Sequence, residues 1–600
     1  MTQAAAAIDA AHALRYRLEP VIATFTGVHA HDGALPDWSA NGLAAATDAW
    51  RAADAALAAA QPSNDWEAMD AELLRGHAAI RLSEDSGTHG VRRNPSLWTG
   101  EAVFGLVSLM LRRYAPAAER AESLRSRMAA IPAFLAAAES TMTAPIPAAW
   151  VTKARRECDG ARRLLDEGVP RWLADESIEP RPADAIRAGA TAARAAFDRF
   201  DAWLASRASN DAPVACGTAH FDLLLARGHQ SRRTRDDLLA DARVRFAEAR
   251  QAVDAAAREE FGSWAVVEEG LAAAHPPADG FLAAFEQTWM QCFRKVELSA
   301  VVAWPNSSEW PLRYTYQPAW AQGAAPYLYF LHYRSPAAFD TVVAHEYLVP
   351  PIDAAAPDRH LRTWNHATIK LNHVVHHGAI GHHVQNWHAY RRSPSRVGQV
   401  AAIDSASRIA MFCGGTMAEG WACYATALME ELGFLTPLER MSEMHSQLRF
   451  FARAITDISL HDGRMTFGDA VRFWVDEVGM SEAVGRNEAT KVSMFPGTGL
   501  MYWLGLQGIR DLRAARAMRG GAGFSLRDFH DDRHRADITS HELAAGFDWR
   551  PTSRFAGSVR RIHRVSVDRL TWRFAHNAGM SRARVMRDSW WCRIDERVVR

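Results

Sequence analysis

Five histidines stand within fifteen residues of one short segment, LNHVVHHGAIGHHVQ, at positions 371–385. The residues between them are mainly apolar or small, so the segment is not an ordinary solvated surface. Imidazole nitrogen is a common ligand of zinc and of other first-row transition metals. One histidine alone is more often a core residue than a ligand, but five so close together favour a metal site. They are His373, His376, His377, His382 and His383.

The spacing of these histidines does not fit a single regular helix. Two ligands of one metal on an α-helix stand four residues apart, whereas His376 and His382 are six apart. The two glycines between them can deform the turn, so that an insertion of two residues brings His382 back beside His376. His373 and His377 do have the four-residue spacing, and they are an alternative ligand pair.

A carboxylate would complete a three-ligand site, and Glu419 is the best candidate. It stands in GGTMAEGWACYATALMEELG (414–433), an otherwise apolar segment with helical character. A carboxylate buried there is costly unless it is paired or bound to a metal. Two histidines and one carboxylate with an open position form a catalytic zinc site, and also the ligand set of non-heme iron. We therefore expect one divalent metal ion, with zinc favoured and iron or manganese as alternatives.

Five segments, in order between about residues 20 and 535, resemble the sequence pattern of the DUF885 family of bacterial proteins. HHGAIGHHVQ is similar to its H-E-x-x-P-G-H-H-x-Q motif, and EGWACYATALMEELG to its E-G-W-A-x-Y-A-E segment. The other three are ATFTGVHAHDGALPDWS, EATKVSMFPGTGLMYWLGLQGIRDLR and GFSLRDFHDD. The resemblance implies a largely helical, gluzincin-like fold related to zinc peptidases. It also implies metal ligands at His376, His382 and Glu419, with His383 as a substitute for His382.

The sequence departs from this pattern where peptidase chemistry is expected. Its divergent motif, HHxxxGHH in place of HExxPGHH, puts His377 where the family has the Glu that would activate water at the metal. Neutral imidazole accepts a proton and has a reference pKa near 6.5, so His377 can replace that base. Thr426 replaces a second Glu, and Lys491 and Val492 replace an Arg–Tyr pair. Tyr502 is retained, and we expect it to hydrogen-bond to the substrate or the transition state.

Three functions remain open on these residues. The favoured one is metal-dependent hydrolysis of a small amide, ester or modified peptide, with His377 as the base and a small molecule or short peptide as the substrate. The alternative is a non-hydrolytic metalloenzyme, such as a non-heme iron oxygenase or a lyase, in which His373, His377 or His383 adds a ligand. The second alternative is a catalytically silent binding relative of the peptidase fold.

The elements around these residues are expected to be mainly α, forming a large multi-helix body. Apolar residues recur at three- and four-residue spacing over the N-terminal helical half, 1–290, which predicts packed amphipathic helices. Aromatics and prolines between about 300 and 352 predict a small β element beside them, although we interpret HEYLVPP (345–351) as a loop. The metal-site half spans 291–545, and an Arg-rich tail, 546–600, lies outside the family resemblance.

Charge and composition limit the partners of the chain. Its 600 residues carry a formal net charge of zero, so nothing indicates a nucleic-acid or anionic-membrane partner. There is no apolar run of about 18 residues and no signal peptide at the start, so no membrane association is expected. The six cysteines contain no C-x-x-C pair, and a reducing cytoplasm is the expected location. The sequence does not predict an oligomeric state.

The opening motif contains two further histidines and an aspartate, His29, His31 and Asp32. One interpretation is that they reach the cleft from the N-terminal half. An aspartate that stabilises a turn beside loop histidines is the favoured interpretation, because Asp side chains commonly bond to the backbone in turns.

Overall fold

The structure, a computed structural model, describes the chain mainly as α-helices, and the predicted fold class is confirmed. The Arg-rich tail lies outside the described residues, and the division of the chain at residue 290 stays a prediction. Within the described part, every helix is too short or too polar to span a bilayer. The described residues are 2–536, except 88, 307, 329–335, 342–343 and 404–410.

Helices account for most of the first 300 residues, as the three- and four-residue periodicity predicts. In the segment RAESLRSRMAAIPAFLAAAES, for example, Leu124, Met128, Ile131 and Leu135 are buried along one helix face. The helices of this region are α1 (Gln3–Leu18), α2 (Pro20–Thr26), α3 (Ala40–Ala59), α4 (Asp65–Ser86), α5 (Pro95–Leu111), α6 (Ala117–Thr141), α7 (Ala148–Arg163), α8 (Val169–Asp175), α9 (Pro180–Arg207), α10 (Thr218–Leu223), α11 (Arg235–Phe261), α12 (Trp264–Ala273) and α13 (Phe281–Ser299).

The later helices carry the residues singled out above. A π-helical segment, Ile369–Gly378, directly follows the short helix α16. The helices are α14 (Ala319–Gln322), α15 (Pro357–Thr363), α16 (His366–Thr368), α17 (His382–Arg392), α18 (Phe412–Glu431), α19 (Pro437–His461), α20 (Phe467–Asp476), α21 (Glu482–Met494), α22 (Met501–Gly520) and α23 (Leu526–Ala536).

Two small parallel sheets accompany the helices among the described residues. One pairs β1 (Ile146–Pro147) with β2 (Ala208–Ser209). The other pairs β3 (Leu312–Tyr316) with β4 (His345–Val349), and it is the β element expected between 300 and 352. The interpretation of HEYLVPP as a loop is wrong, because its first five residues form β4. Tyr347, Leu348 and Val349 are buried there, and aromatic and β-branched residues of this kind favour strands.

Two large hydrophobic clusters occupy the interior. The first is built mainly from α5, α6, α7 and α9. The second combines α13, β3, β4, the π-helical segment, α18 and α22. The apolar residues that separate the histidines belong to this second cluster, where Val374, Val375, Ala379 and Ile380 are fully buried. Their burial fixes which way the histidine segment faces, since the apolar side packs inward and leaves the other side for the imidazoles.

Candidate metal centre

The histidine segment is not one continuous α-helix. Its first part, Ile369–Gly378, is π-helical, and the chain leaves helical geometry at Ala379 (φ −129°, ψ −118°) and Gly381 (φ −70°, ψ −125°). Helix α17 then begins at His382. As a result the ring centroids of His376 and His382 lie 4.8 Å apart, although six residues separate them in the chain. The deformation that the spacing predicts is therefore present.

The two glycines of this turn are needed because other atoms approach them closely. A Cβ atom on Gly381 would lie 1.9 Å from the carbonyl oxygen of His376, inside the backbone of the preceding turn. A Cβ atom on Gly378 would lie 2.1 Å from the hydroxyl oxygen of Tyr314 in β3. Neither position tolerates a side chain without movement of the backbone or of a buried neighbour.

Three tryptophans hold the backbone carbonyls of the turn. The break in the helix leaves carbonyl groups without their regular partners, and buried groups of this kind require other donors. The indole N–H of each tryptophan supplies one, from α13, from α18 and from the segment before β3. The pairs are Trp289 to Gly378 (2.9 Å), Trp421 to Ile380 (2.9 Å) and Trp310 to His383 (3.0 Å).

Glu419 reaches the histidines from α18. Its Oε2 lies 3.4 Å from Nε2 of His376 and 3.9 Å from Nε2 of His382. That oxygen is buried and has no hydrogen-bond partner among the described residues. Burial acts to raise the pKa of Glu419, but the imidazoles of His376 and His382 outweigh it and lower the pKa to about 2. The site thus contains an ionised, unsatisfied carboxylate oxygen facing two imidazole nitrogens, which matches the donor set of a divalent metal.

Hydrogen bonds orient two of the imidazoles. His377 shares its Nδ1 with the carbonyl oxygen of Asn372 at 2.6 Å, and His382 shares its Nδ1 with Oε1 of Gln385 at 3.3 Å. Since both partners are acceptors, each Nδ1 carries the proton and each Nε2 carries a lone pair. Burial and then the neighbouring imidazoles lower the pKa of His382 to about 4, and that of His377 well below its usual value. Both rings are neutral at neutral pH, as a metal ligand must be.

Three of the five histidines come together, and two do not. The ligand nitrogens of His376, His377 and His382 lie within 4.8 Å of one another, so this triad could hold a metal. His373 instead shares its Nδ1 with the hydroxyl of Tyr347 at 2.5 Å. His383 donates its Nε2 proton to a backbone carbonyl, at 3.2 Å. Both are buried in the hydrophobic interior rather than in the triad.

The triad and Glu419 line a cavity of about 1410 Å³, and Tyr502 lines it as well. Tyr502 stands near the start of α22, where its ring stacks on Phe450 of α19 with 5.6 Å between centroids. Its hydroxyl oxygen accepts a hydrogen bond from Nζ of Lys491 at 3.2 Å. A cavity of this size holds a small molecule or a short peptide.

Glu419 and Tyr502 keep their relative positions because α18 and α22 cross in backbone contact. A Cβ atom on Gly420 would lie 2.3 Å from the carbonyl carbon of Gly505. A Cβ atom on Gly505 would lie 2.1 Å from the carbonyl oxygen of Thr416. The two glycines are direct neighbours in space, so the helix that carries the carboxylate lies against the helix that carries the tyrosine.

His29 of the opening motif belongs to a separate network. Its Nδ1 lies 2.8 Å from Oδ2 of Asp32, and its Nε2 lies 2.8 Å from Oδ1 of Asp340. The ring stacks on Tyr114 with 3.8 Å between centroids. None of these residues lines the cavity. The carboxylate of Asp32 bonds to side chains, those of Thr24, His29 and Tyr114, so the turn-stabilising role stays a prediction. His29 has a long-range partner at Asp340 that the sequence did not indicate.

Comparison with known proteins agrees with this architecture. The chain is similar in structure to a "putative lipoprotein of unknown function" from Shewanella oneidensis, with 19% identity, a TM-score of 0.70, and 91% of this chain and 98% of that chain covered. It is also similar to a "putative lipoprotein" from Colwellia psychrerythraea, with 15% identity, a TM-score of 0.71 and the same coverage. A search of curated sequences finds no significant match. The profile of DUF885, bacterial proteins of unknown function, matches residues 20–533, and the chain therefore belongs to the DUF885 family.

Proposed function

We propose that the protein is a metal-dependent hydrolase of a small amide, ester or modified peptide. One divalent ion, with zinc favoured, would be held by His376, His382 and Glu419. The observation that carries this proposal is Oε2 of Glu419, a buried carboxylate oxygen that lies 3.4 and 3.9 Å from the two Nε2 atoms and has no hydrogen bond of regular geometry. A cation beside a buried carboxylate oxygen of this kind is stabilising, and two nitrogens with one oxygen are the ligands of a catalytic zinc site.

When bound, a divalent metal ion supplies Lewis-acid polarisation of a carbonyl group and makes water a better nucleophile at neutral pH. The protein supplies the proton transfers. His377 is neutral, with its lone pair on Nε2, and accepts the proton of the attacking water. It then returns the proton to the leaving group. In this role His377 performs the task expected of the glutamate that the family pattern has at the same position.

Tyr502 donates its hydroxyl proton to the oxygen on which negative charge develops during attack. Lys491 donates a hydrogen bond to the hydroxyl oxygen, so the hydroxyl proton points away from that nitrogen. A hydrogen bond received from an ammonium group also makes the phenol a stronger donor. Together the two residues form the oxyanion-stabilising side of the proposed site.

The third imidazole favours one second candidate, a non-hydrolytic metalloenzyme. If Nε2 of His377 binds the metal instead of a proton, the ligands become three histidines and one carboxylate. Imidazole with carboxylate suits iron and manganese as well as zinc. A redox enzyme or a lyase would then replace the hydrolase, and the identity of the bound metal separates the two candidates.

Metal analysis by inductively coupled plasma mass spectrometry tests the proposal. We expect one zinc per chain in the wild type, and its loss in His376→Ala and in Glu419→Ala. His366→Ala is the matched control, because His366 is exposed, precedes the π-helical segment and has no role in the site. Circular dichroism verifies that each variant is folded. Bound iron or manganese would favour the second candidate. A folded wild type that binds no metal would exclude both the hydrolase and the non-hydrolytic metalloenzyme, and the protein would then be a binding protein without catalysis.

We keep the cytoplasm as the proposed location, and a small molecule or a short peptide as the proposed partner. The two structural neighbours are described as lipoproteins, which makes the cell envelope the competing location. Fractionation of the native host, followed by detection of the chain with an antibody, separates the two locations.

A further inference from the structure

One wall of the cavity carries three cationic side chains beside Tyr502. Arg449 and Arg453 stand one turn apart on α19, and Lys491 stands on α21. We call these three residues the cationic wall. They line the same cavity as His376 and Glu419, so a substrate that reaches the triad also faces them.

The two arginines of the cationic wall share one carboxylate, Glu488 of α21. Arg453 donates to its two oxygens at 2.9 and 2.7 Å, and Arg449 donates to one of them at 2.8 Å. Three positive charges thus face two carboxylates, because Lys491 also acts on the ionised Glu419 and helps to lower its pKa. In addition, Nε of Arg449 is buried and has no hydrogen-bond partner among the described residues. An excess of cations in a partly buried wall is unfavourable unless an anion arrives to balance it.

The cationic wall is placed to act on the substrate rather than only on the fold. The hydrogen bonds from Arg449 and Arg453 to Glu488 link α19 to α21 and so stabilise the fold. Lys491 is outside that link, because its Nζ donates to the hydroxyl of Tyr502 at 3.2 Å. The guanidinium of Arg453 also lies 4.8 Å from the centre of the Tyr502 ring. The excess charge is therefore next to the proposed oxyanion donor.

We propose that the cationic wall binds a carboxylate of the substrate, so that the substrates are acidic amides, esters or short peptides. Lys491 and Arg449 provide the charge-assisted hydrogen bonds, and Glu488 holds the two arginines in place. This inference rests on the proposed function, because the bound molecule is a substrate only if the metal site is catalytic. The binding of a carboxylate, however, can be measured without turnover.

Isothermal titration calorimetry with three peptides tests the inference. The probes are acetyl-alanyl-alanine, its C-terminal amide, and acetyl-aspartyl-alaninamide, which carries its carboxylate on a side chain. We expect the amide to bind about tenfold or more weakly than the acid, because a hydrogen bond to a charged group is worth about 1.5–3 kcal/mol. Tight binding of the aspartyl peptide identifies a side-chain carboxylate as the ligand, and weak binding identifies the chain terminus.

The variant Lys491→Gln should remove most of the preference for the acid. Arg486→Gln is the matched control, because Arg486 is on the same helix and lines the same cavity, yet is more than half exposed and pairs with Glu482. Equal affinity for all three peptides in the wild type overturns the inference, as does an absence of binding at millimolar peptide. A preserved preference in Lys491→Gln overturns the role of Lys491.

The experiment also separates this inference from the proposed function. The titrations are repeated on zinc-loaded protein and on protein treated with a chelator. A preference for the acid in protein that binds no metal keeps the cationic wall and rejects the hydrolase. Equal binding of all three peptides by a protein that does bind zinc keeps the metal site and rejects the cationic wall.

Discussion

At the scale of single residues, His377 has two chemically sensible roles. Its Nδ1 proton is held by the carbonyl of Asn372, so only Nε2 remains to accept a proton or to bind a metal. Its pKa is held well below the usual value by burial and by the adjacent imidazoles, so the ring is neutral throughout the physiological range. A neutral ring can bind a metal or accept a proton, but the lowered pKa makes it a weaker base, which favours the ligand role. The effect of removing the ring separates the two roles.

We expect His377→Gln to keep one zinc per chain and to lower kcat by about 100-fold or more, the size of a lost general base. His377→Glu restores the residue of the family pattern and should retain activity. Metal content and steady-state kinetics are measured on the same preparations. Loss of zinc in His377→Gln would assign His377 as a ligand and favour the non-hydrolytic candidate.

Tyr502 is the second residue with a defined chemical role. Tyr502→Phe removes one hydroxyl and leaves the ring on Phe450, so the fold should be unchanged. We expect kcat to fall by about 100-fold with little change in KM, because the lost bond forms mainly in the transition state. Tyr316→Phe, at an exposed position in β3, is the control. A rise in KM at constant kcat would instead assign Tyr502 to ground-state binding.

At the scale of elements, the turn between the π-helical segment and α17 creates the metal site. The sequence predicted a deformed turn from the spacing of His376 and His382 and from the two glycines. It did not predict the tryptophan donors. Those donors come from α13, from α18 and from the segment before β3, and no local pattern says which helices will lie beside the turn. A buried indole needs an acceptor, but the acceptor is known only once the neighbours are known.

Gly381→Ala tests whether this turn sets the metal affinity. A Cβ atom there would lie 1.9 Å from the carbonyl oxygen of His376, so His376 has to move. We expect at least tenfold weaker zinc binding, in line with the sensitivity of metal sites to small displacements of a ligand. Gly523→Ala is the control, since nothing lies within 4 Å of its added Cβ atom. Zinc affinity equal to the wild type would show that the turn is more tolerant than its geometry indicates.

At the scale of the whole molecule, the sequence predicts the helices better than it predicts the contacts between distant segments. Periodicity predicts the mainly α fold, since burial of residues such as Leu124 and Met128 follows from local spacing. Glu419 stood out because an apolar helix rarely carries a carboxylate. The pairing of Arg453 with Glu488 and that of His29 with Asp340 did not stand out. They join segments far apart in the chain, and spacing within one segment contains no information about them.

The long-range tie of His29 makes stability depend on pH. Partial burial acts to lower the pKa of His29, but Asp32 and Asp340 outweigh it and raise the pKa to about 9, above the ordinary value of 6.5. The stabilisation is therefore complete below about pH 6.5 and is lost as the pH rises through about 9. We expect it to amount to about 1 kcal/mol, because 31% of the side chain is exposed and screening reduces the effect.

Thermal midpoints of the wild type and of His29→Gln check this dependence. The wild type should be more stable than the variant at about pH 6, and the difference should shrink at about pH 10. A difference of the same size at both values would mean that His29 acts through packing against Tyr114 and not through its charge.

The contact between Gly420 and Gly505 has a consequence for motion. A shift of one helix along the other would replace a glycine at the contact with Trp421 or Leu506, and a side chain has no room there. The α18–α22 pair is therefore a fixed support, and adjustment to an arriving substrate falls to other walls of the cavity, which include α19 and α21. In hydrogen–deuterium exchange, backbone amides at the crossing should be among the last to exchange, and those of α21 should respond first when a substrate enters.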